Sequence, residues 1–448
     1  MNNSTHIDIL GAGLAGSLLG LLLAQQDYRV KVYEKRSDPR MQMVGEGRSI
    51  NLALSHRGWA ALNQAGIADV VQEIAIPMRG RMIHSEKGGT LLQPYSIKDE
   101  NIYSVSRSAL NNILISQAEK KGAKFYFEHS CEEIQLEENS FVVKHASDTN
   151  TLRSDLLIGA DGAFSALRSH LQRTARFNYS QYYIEHAYKE LTIPPTAAGD
   201  FAMEPNALHI WPRGGFMLIA LPNLDKSFTC TLFYPYEGAQ SFANLQTPEH
   251  LQSFFKEYFP DALALMPKLA EEFFTNPTSD LITVSCFPWT YNGKQVLLGD
   301  AAHAIVPFYG QGMNAAFEDC RILTDMLVEQ EEKIADIIYR FQQNRKPDAD
   351  AIAELALQNF VEMRDLVTDK AFVERKKVEK ELYRRFPDNW EPLYNMVTFS
   401  HRPYSEALQQ GILQDSIMKE VMKKYENAEQ LNNKDYESII ALLKQRQP

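Results

Sequence analysis

Cysteine is scarce in this chain, with only four in 448 residues. Cys131, Cys230, Cys286 and Cys320 are scattered, and no two have the spacing of a metal clip or a redox motif. A disulfide-stapled or zinc-ribbon fold is therefore excluded, and a chain kept reduced and soluble in the cytoplasm is expected. Long apolar runs are also missing: none reaches the roughly 18 residues of a membrane-spanning helix. Excess basic charge is absent too. Asp and Glu number 57 against 46 Lys and Arg, a formal net charge of -11, which argues against a nucleic-acid partner. Neither disorder nor a fibrous class fits 44% hydrophobic and 23% charged residues, and the length allows two or three lobes.

What is present begins at the N-terminus. "HIDIL" has the pattern of a short buried strand, and "GAGLAG" follows at once, with Gly11, Gly13 and Gly16 in the spacing of a phosphate-binding turn. The first glycine permits the tight turn, the second lets a pyrophosphate approach the backbone, and the third lets helix and strand pack closely. A helix from Leu14 to Gln25 is expected, its N-terminal amides facing the phosphates. A second strand, "YRVKVYEK", ends at Glu34, where an acid would accept hydrogen bonds from a ribose bearing free hydroxyls. Lys35 and Arg36 follow as candidate contacts at the same end of the dinucleotide.

Two later stretches have the same strand-turn-helix form. "DLLIGADGAFSALRSHL" places Asp161 and Gly162 in a turn and Arg168 on the next helix. "QVLLGDAAHAIVPFYGQGMNAAFEDC" brings Asp300, His303 and Pro307, then Gly310 and Gly312 before a helix from about Met313. Asp300 could hold a ribityl hydroxyl. The amides around Gly312, Met313 and Asn314 could face the electron-rich pyrimidine end of a flavin.

The order of these three motifs, over residues 6 to about 320, resembles the single-component aromatic hydroxylases that use FAD. The resemblance implies one bound FAD, reduced by NADPH as co-substrate without a separate Rossmann domain, and molecular oxygen captured as a hydroperoxide at flavin carbon 4a. It also implies that Arg107, in "YSVSRSALNNIL", contacts the FAD phosphates, and that Arg48 and Ala53, in "GEGRSINLALSHRG", pass near the flavin.

A charged stretch in the first quarter of the chain raises a separate question. "IPMRGRMIH" sets Arg79 and Arg81 two residues apart in an acidic protein, and "EKGG" after it signals a hairpin over residues 78 to 96. A turn at Lys87-Gly88 would set Arg81 opposite Pro94 and next to Tyr95. Strand parity would then put Arg79 and Arg81 on one face. Arginine and a phenol together suit a carboxylate. Taken alone, the stretch reads better as a surface hairpin whose arginines reach water. Arg79 is expected to support the hairpin or to pair with an acid.

Three strand-like runs between residues 201 and 234 would put Leu208, Met217, Ile219, Leu221, Thr231 and Phe233 on one face of an antiparallel sheet. As bare sequence these could equally be core. Near the C-terminus, Ile352, Leu355, Ala356, Asn359, Phe360, Met363 and Leu366 share one helical face. An asparagine in that stripe needs a partner, either a backbone group or a bound polar ligand.

Longer strings, among them "GRSINLALSHRG", "IPMRGRMIHS", "NALHIWPR", "KSFTCTLF", "NFVEMRD" and "PLYNMVTFS", resemble the branch of these hydroxylases that acts on L-kynurenine. That resemblance implies that Arg81 and Tyr95 hold the substrate carboxylate and that Asn359 and Tyr394 complete the pocket. Pro307, Phe308 and Met363, with the sheet residues, would line the rest. It also implies 3-hydroxylation during tryptophan degradation toward quinolinate and NAD. No residue is expected to act as acid or base, because the substrate's aniline nitrogen activates its own ring. The alternative is a related hydroxylase acting on another aromatic acid. Eukaryotic members carry a hydrophobic C-terminal anchor, whereas this sequence ends in the polar "EQLNNKDYESIIALLKQRQP", so a soluble bacterial type without one is expected. No metal is expected, and a homodimer is compatible with the sequence.

The fold expected is α/β: a Rossmann-like FAD-binding domain (1–75, 97–180, 285–330), an inserted antiparallel β-sheet substrate domain (76–96, 181–284) and a C-terminal helical region (331–448).

Overall fold

The computed structural model describes residues 5–41, 51–329, 332–366 and 369–447. Arg48 lies outside the described residues. The chain divides into two compact units, one of residues 1–75, 105–183 and 282–353, the other of residues 76–104, 184–281 and 354–448. The C-terminal helices thus belong to the same unit as the substrate-type sheet.

The first unit is built on a six-stranded sheet in the order Thr290–Tyr291, Gln295–Leu297, Leu156–Gly159, His6–Leu10, Arg29–Tyr33 and Lys124–Tyr126. All neighbours run parallel except the terminal Thr290–Tyr291 pairing. Parallel strands covered on both faces read as continuous apolar runs, and Ile7, Ile9, Leu156, Leu157 and Ile158 are fully buried. Helices Leu14–Ala24, Arg107–Lys120 and Gly312–Glu329 pack in this unit. From His6–Leu10 the chain proceeds to Arg29–Tyr33 on one side, while Leu156–Gly159 lies on the other. The carboxyl ends of the central strands therefore meet at a topological switch point, where such sheets bind ligands.

The second unit holds most of a seven-stranded sheet in the order Ser279–Phe287, Asn178–Ile193, Phe228–Pro235, Met217–Pro222, Leu208–Pro212, Gly80–His84 and Thr90–Pro94. Alternation sorts its residues by face. Trp211, Leu218, Ala220, Cys230 and Leu232 form one core with Leu251, Phe254, Phe255 and Phe259, from the helical region that follows. That region begins at helix Pro248–Tyr258, where Thr247 accepts a hydrogen bond from His250 N and Pro248 occupies the first turn. The register puts Leu208, Met217, Ile219, Leu221, Thr231 and Phe233 on the opposite face. A second core of this unit, including Leu382, Trp390, Ile417, Met418 and Tyr436, joins helices Lys370–Arg385, Tyr404–Lys424 and Asn433–Arg446.

Among the described residues no helix is long and apolar enough to cross a membrane, and no group of His, Cys, Asp and Glu could hold a metal. All four cysteines are free.

Candidate active site

The glycine-rich turn follows directly from residue size. A Cβ on Gly11 would lie 2.5 Å from Ala160 O, and one on Gly16 would lie 2.0 Å from Gly11 O, so neither position admits another residue. At Gly13 a Cβ would meet no atom of the described residues within 4 Å, so among them the space above the backbone is open. The helix starts at Leu14 and ends at Ala24, one residue short of the expected Gln25.

Glu34 is half-buried beside this turn and already bound to it. Its Oε2 accepts from Ala12 N at 2.9 Å and its Oε1 from Arg36 N at 2.9 Å. Each oxygen keeps a second lone pair for a ribose hydroxyl. The side chains of Lys35 and Arg36 are exposed at the end of the strand. A residue that motif reading missed also braces the turn: Asn111 Nδ2 donates to Ala12 O at 3.0 Å. It stands one helical turn after Arg107, whose exposed side chain opens helix Arg107–Lys120 behind the Ser106 cap. The open Gly13, the free lone pairs of Glu34 and the nearby Arg107 fit the pyrophosphate and ribose of FAD.

The other two motifs are tied to one another. Arg168, buried, donates to Ala163 O within its own turn and to Ala301 O at 2.8 Å in the "GDAAH" turn. Asp161 accepts from Ala166 N at 2.6 Å. Burial raises its carboxyl above the usual range, partly offset by Ser165 and the turn amides. Asp300 is exposed on the first turn of the short helix Asp300–His303. Beneath it lies a buried ionic cluster that the sequence did not announce. His303 Nε2 lies 2.6 Å from Asp319 Oδ2, and Arg345 donates to Asp319 at 2.7 Å, with Glu318 3.0 Å and Asp348 3.1 Å away. Arg57 bonds Glu318 at 2.6 Å. Burial opposes the Asp319 charge, yet His303 and Arg345 hold its carboxyl below the usual range. Breaking such a cluster by removing one member typically costs about 3–5 kcal/mol.

Asn314 spends its side chain on the protein. Its Nδ2 donates to Ala53 O and Gly310 O at 2.8 Å, and its Oδ1 accepts from Ser55 N at 2.9 Å. It thereby fixes Ala53 against Gly310, where a Cβ would stand 3.0 Å from the Ala53 Cβ. What Gly312, Met313 and Asn314 have to offer a flavin is the first backbone amides of helix Gly312–Glu329. Pro307, exposed, and Phe308, buried, form the preceding turn in this same unit.

In the second unit the hairpin differs from expectation by one register step. Five residues, not two, connect Gly80–His84 to Thr90–Pro94, and Arg81 pairs with Gln93 rather than Pro94. The cause is a pair of left-handed glycines, Gly88 at φ 85° and Gly89 at φ 84°, which lengthen the turn closed by Ser85 N donating to Gly89 O. Tyr95 instead donates its backbone N–H to Arg79 O. Arg79 braces the hairpin through its backbone while its side chain is exposed; Arg81, on the sheet face with Leu208, is buried. The strand is interrupted at Arg79, so regular alternation does not carry across it.

Around the Arg81 guanidinium the structure gathers distant residues. Its Cζ lies 4.9 Å from the Tyr394 ring centroid and 5.8 Å from that of Tyr95. The two tyrosines stack at 5.2 Å and 9°. Burial pushes the Tyr95 phenol well above its usual range, so it is a neutral donor at every physiological pH. A cation beside this stacked pair is stabilised by the rings yet keeps N–H edges for an anion. Asn359, buried, directs Nδ2 to Met363 Sδ at 3.3 Å. The helix expected across both residues changes at Glu362: the α-helix ends at Val361 and one π-helical turn, Glu362–Leu366, follows. Such turns occur often at functional sites.

Glu362 had no signal in the sequence, being off the apolar stripe. It lies 3.4 Å from Arg81 and 3.7 Å from Lys376. Burial opposes its charge, but Lys376 and Arg81 hold its carboxyl below the usual range.

The strand carrying Arg81 is also locked from behind. Asp261 accepts from His84 Nδ1 at 2.7 Å and from Trp211 Nε1 at 2.9 Å. His209 donates from Nε2 to Glu204 O at 2.8 Å, and burial lowers it to about 4, so its Nδ1 is left to accept from His84 Nε2 at 2.9 Å.

This fold and this glycine-rich turn define an FAD-binding protein: residues 4–356 match the FAD binding domain family. A probable FAD-dependent monooxygenase from Pseudomonas aeruginosa has the same fold, at TM-score 0.66 and 19% identity over 81% of this chain and 97% of that one. Closer in sequence is kynurenine 3-monooxygenase of Flavobacterium psychrophilum, 48% identical over 94% of this chain and 95% of its own. Its counterpart from Flavobacterium johnsoniae is 47% identical over 100% of both chains. The chain belongs to the kynurenine 3-monooxygenase family.

Proposed function

We propose that the protein hydroxylates L-kynurenine at ring position 3, consuming NADPH, a proton and oxygen and releasing 3-hydroxykynurenine, NADP and water. The observation that carries this reading is the buried Arg81 framed by Tyr95 and Tyr394, a site for the carboxylate of an aromatic amino acid, in a chain with the FAD-binding fold. Bound FAD would supply the redox and oxygen-activating chemistry, with NADPH as the reductant. Gly11, Gly13, Leu14 and Gly16 would hold its pyrophosphate, Glu34 its ribose, Arg107 its phosphates, and Asp300 with the amides of Gly312–Asn314 its flavin end. Lys35, Arg36, Arg48, Ala53 and Asp161 complete the proposed FAD neighbourhood.

The chain's own task is positioning. Arg81 takes the carboxylate through its N–H edge while Tyr95, Tyr394 and Asn359 bound the polar end of the substrate. Leu208, Met217, Ile219, Leu221, Thr231 and Phe233 with Met363 supply apolar surface that keeps water from the reacting ring. The aniline nitrogen of kynurenine donates electron density to its own ortho carbon, so no protein acid or base is required, and the energy supplied is that of orientation. The test is to incubate the FAD-loaded protein with L-kynurenine and NADPH in air and to seek a hydroxylated product by mass. NADPH oxidation that kynurenine does not stimulate, with a hydroxybenzoate hydroxylated instead, would overturn the reading.

A further inference from the structure

We infer that Glu362 is a built-in competitor for the carboxylate anchor: without substrate it holds Arg81, and the substrate carboxylate displaces it. The inference rests on the proposed role of Arg81 as that anchor. A buried guanidinium needs a counter-charge when no ligand supplies one. Glu362 stands at the right place, its Oε1 3.4 Å from Arg81 Nη1. The contact is long for a charge-assisted bond, which usually spans about 2.7–2.9 Å, so an incoming carboxylate able to take two N–H bonds has the better geometry.

The acid also has somewhere to go. Its Oε2 lies 3.7 Å from Lys376 Nζ, and Lys376 in turn lies 3.2 Å from Glu379. Glu362 is partly exposed, with 27% of its side chain accessible, whereas the Arg81 side chain is 10% accessible. Release from Arg81 thus leaves the carboxylate beside Lys376 and within reach of water. The arginine, in contrast, cannot be left alone. That asymmetry makes Glu362 the movable partner. Its place on the π-helical turn next to Met363, and three residues from Asn359, puts the competitor on the same segment as two proposed substrate contacts.

The test uses the FAD-loaded protein and the flavin spectrum to titrate L-kynurenine and an analogue lacking the α-amino group. Glu362→Gln should lower the Kd of both by roughly threefold to tenfold. Lys376→Met, which removes the alternative partner, should raise both by about threefold. Added to Glu362→Gln, Lys376→Met should have no further effect, because the two act through one carboxylate. An unchanged or raised Kd of the analogue in Glu362→Gln overturns the proposal. A raised Kd for kynurenine alone also overturns it, since Glu362 would then be reading the substrate ammonium. Failure of the underlying reading looks different: Arg81→Ala would leave kynurenine affinity unchanged.

Discussion

The glycine-rich turn and the Arg81 cluster are both read as anion sites, and they are made by opposite means. The turn uses backbone amides and empty space from neighbouring residues, and its selectivity comes from side chains that are missing. The Arg81 site uses side chains: one guanidinium, two phenols and an acid from Arg81, Tyr95, Tyr394 and Glu362. A backbone site is rigid and needs no counter-ion when empty. A buried side-chain charge needs a partner at all times, and here the partner is internal.

Substitutions can break that contrast, beginning with the largest effect. Gly13→Val should leave the fold intact, since no atom of the described residues lies within 4 Å of a Cβ there, yet cut flavin content on the order of a hundredfold. The same change at Gly16 should prevent folding of the unit, because its Cβ would meet Gly11 O. Absorbance of bound flavin against circular dichroism separates the two, and a Gly13→Val protein with normal flavin would refute the backbone account.

Next, Arg81→Ala should raise the KM for kynurenine by about thirtyfold to a hundredfold while flavin content stays normal. Smaller is the effect of Asn111→Ala. Losing one hydrogen bond to Ala12 O should weaken FAD about fivefold and leave the kynurenine KM unchanged at saturating FAD. A shift in the kynurenine KM instead would show that the two sites are not separable in this way.

The smallest effect concerns the lock behind Arg81. Burial opposes the Asp261 charge, but His84 and Trp211 lower its carboxyl from 3.8 to about 2. A lowered carboxyl stabilises the fold above pH about 4 and loses that contribution as pH falls toward about 2. Because half of this side chain is accessible, the contribution is discounted to about 0.5–1 kcal/mol. Urea melts of Asp261→Asn against the unmodified protein should differ at neutral pH and converge between pH 4 and pH 2. A difference independent of pH would assign the effect to packing instead.

Much of the first site is legible from residue order, because each part of it is local. Gly11, Gly13 and Gly16 act within one turn, and Glu34 closes the next strand, so a spacing rule finds them. The sheet face from Leu208 to Phe233 is legible for a similar reason: alternation is a property of the strand. The hairpin register is not, because it turns on Gly88 and Gly89 both adopting left-handed backbone, and "EKGG" allows more than one turn. Asn314 shows the limit of motif reading, since its side chain faces Ala53, Gly310 and Ser55.

By itself, the sequence determined the glycine-rich turn, the class of fold around it and which strand residues share a face. These depend on steric size and on periods of a few residues. Only the tertiary structure decided that Arg81 meets Glu362 across a separation of 281 residues, and that His84 reaches Asp261 across 177. Buried charges choose partners by distance in space, and no local period encodes that distance. The same reason hid the Arg57, Glu318, Asp319 and Arg345 cluster, whose members are ordinary helix residues until folding removes their water.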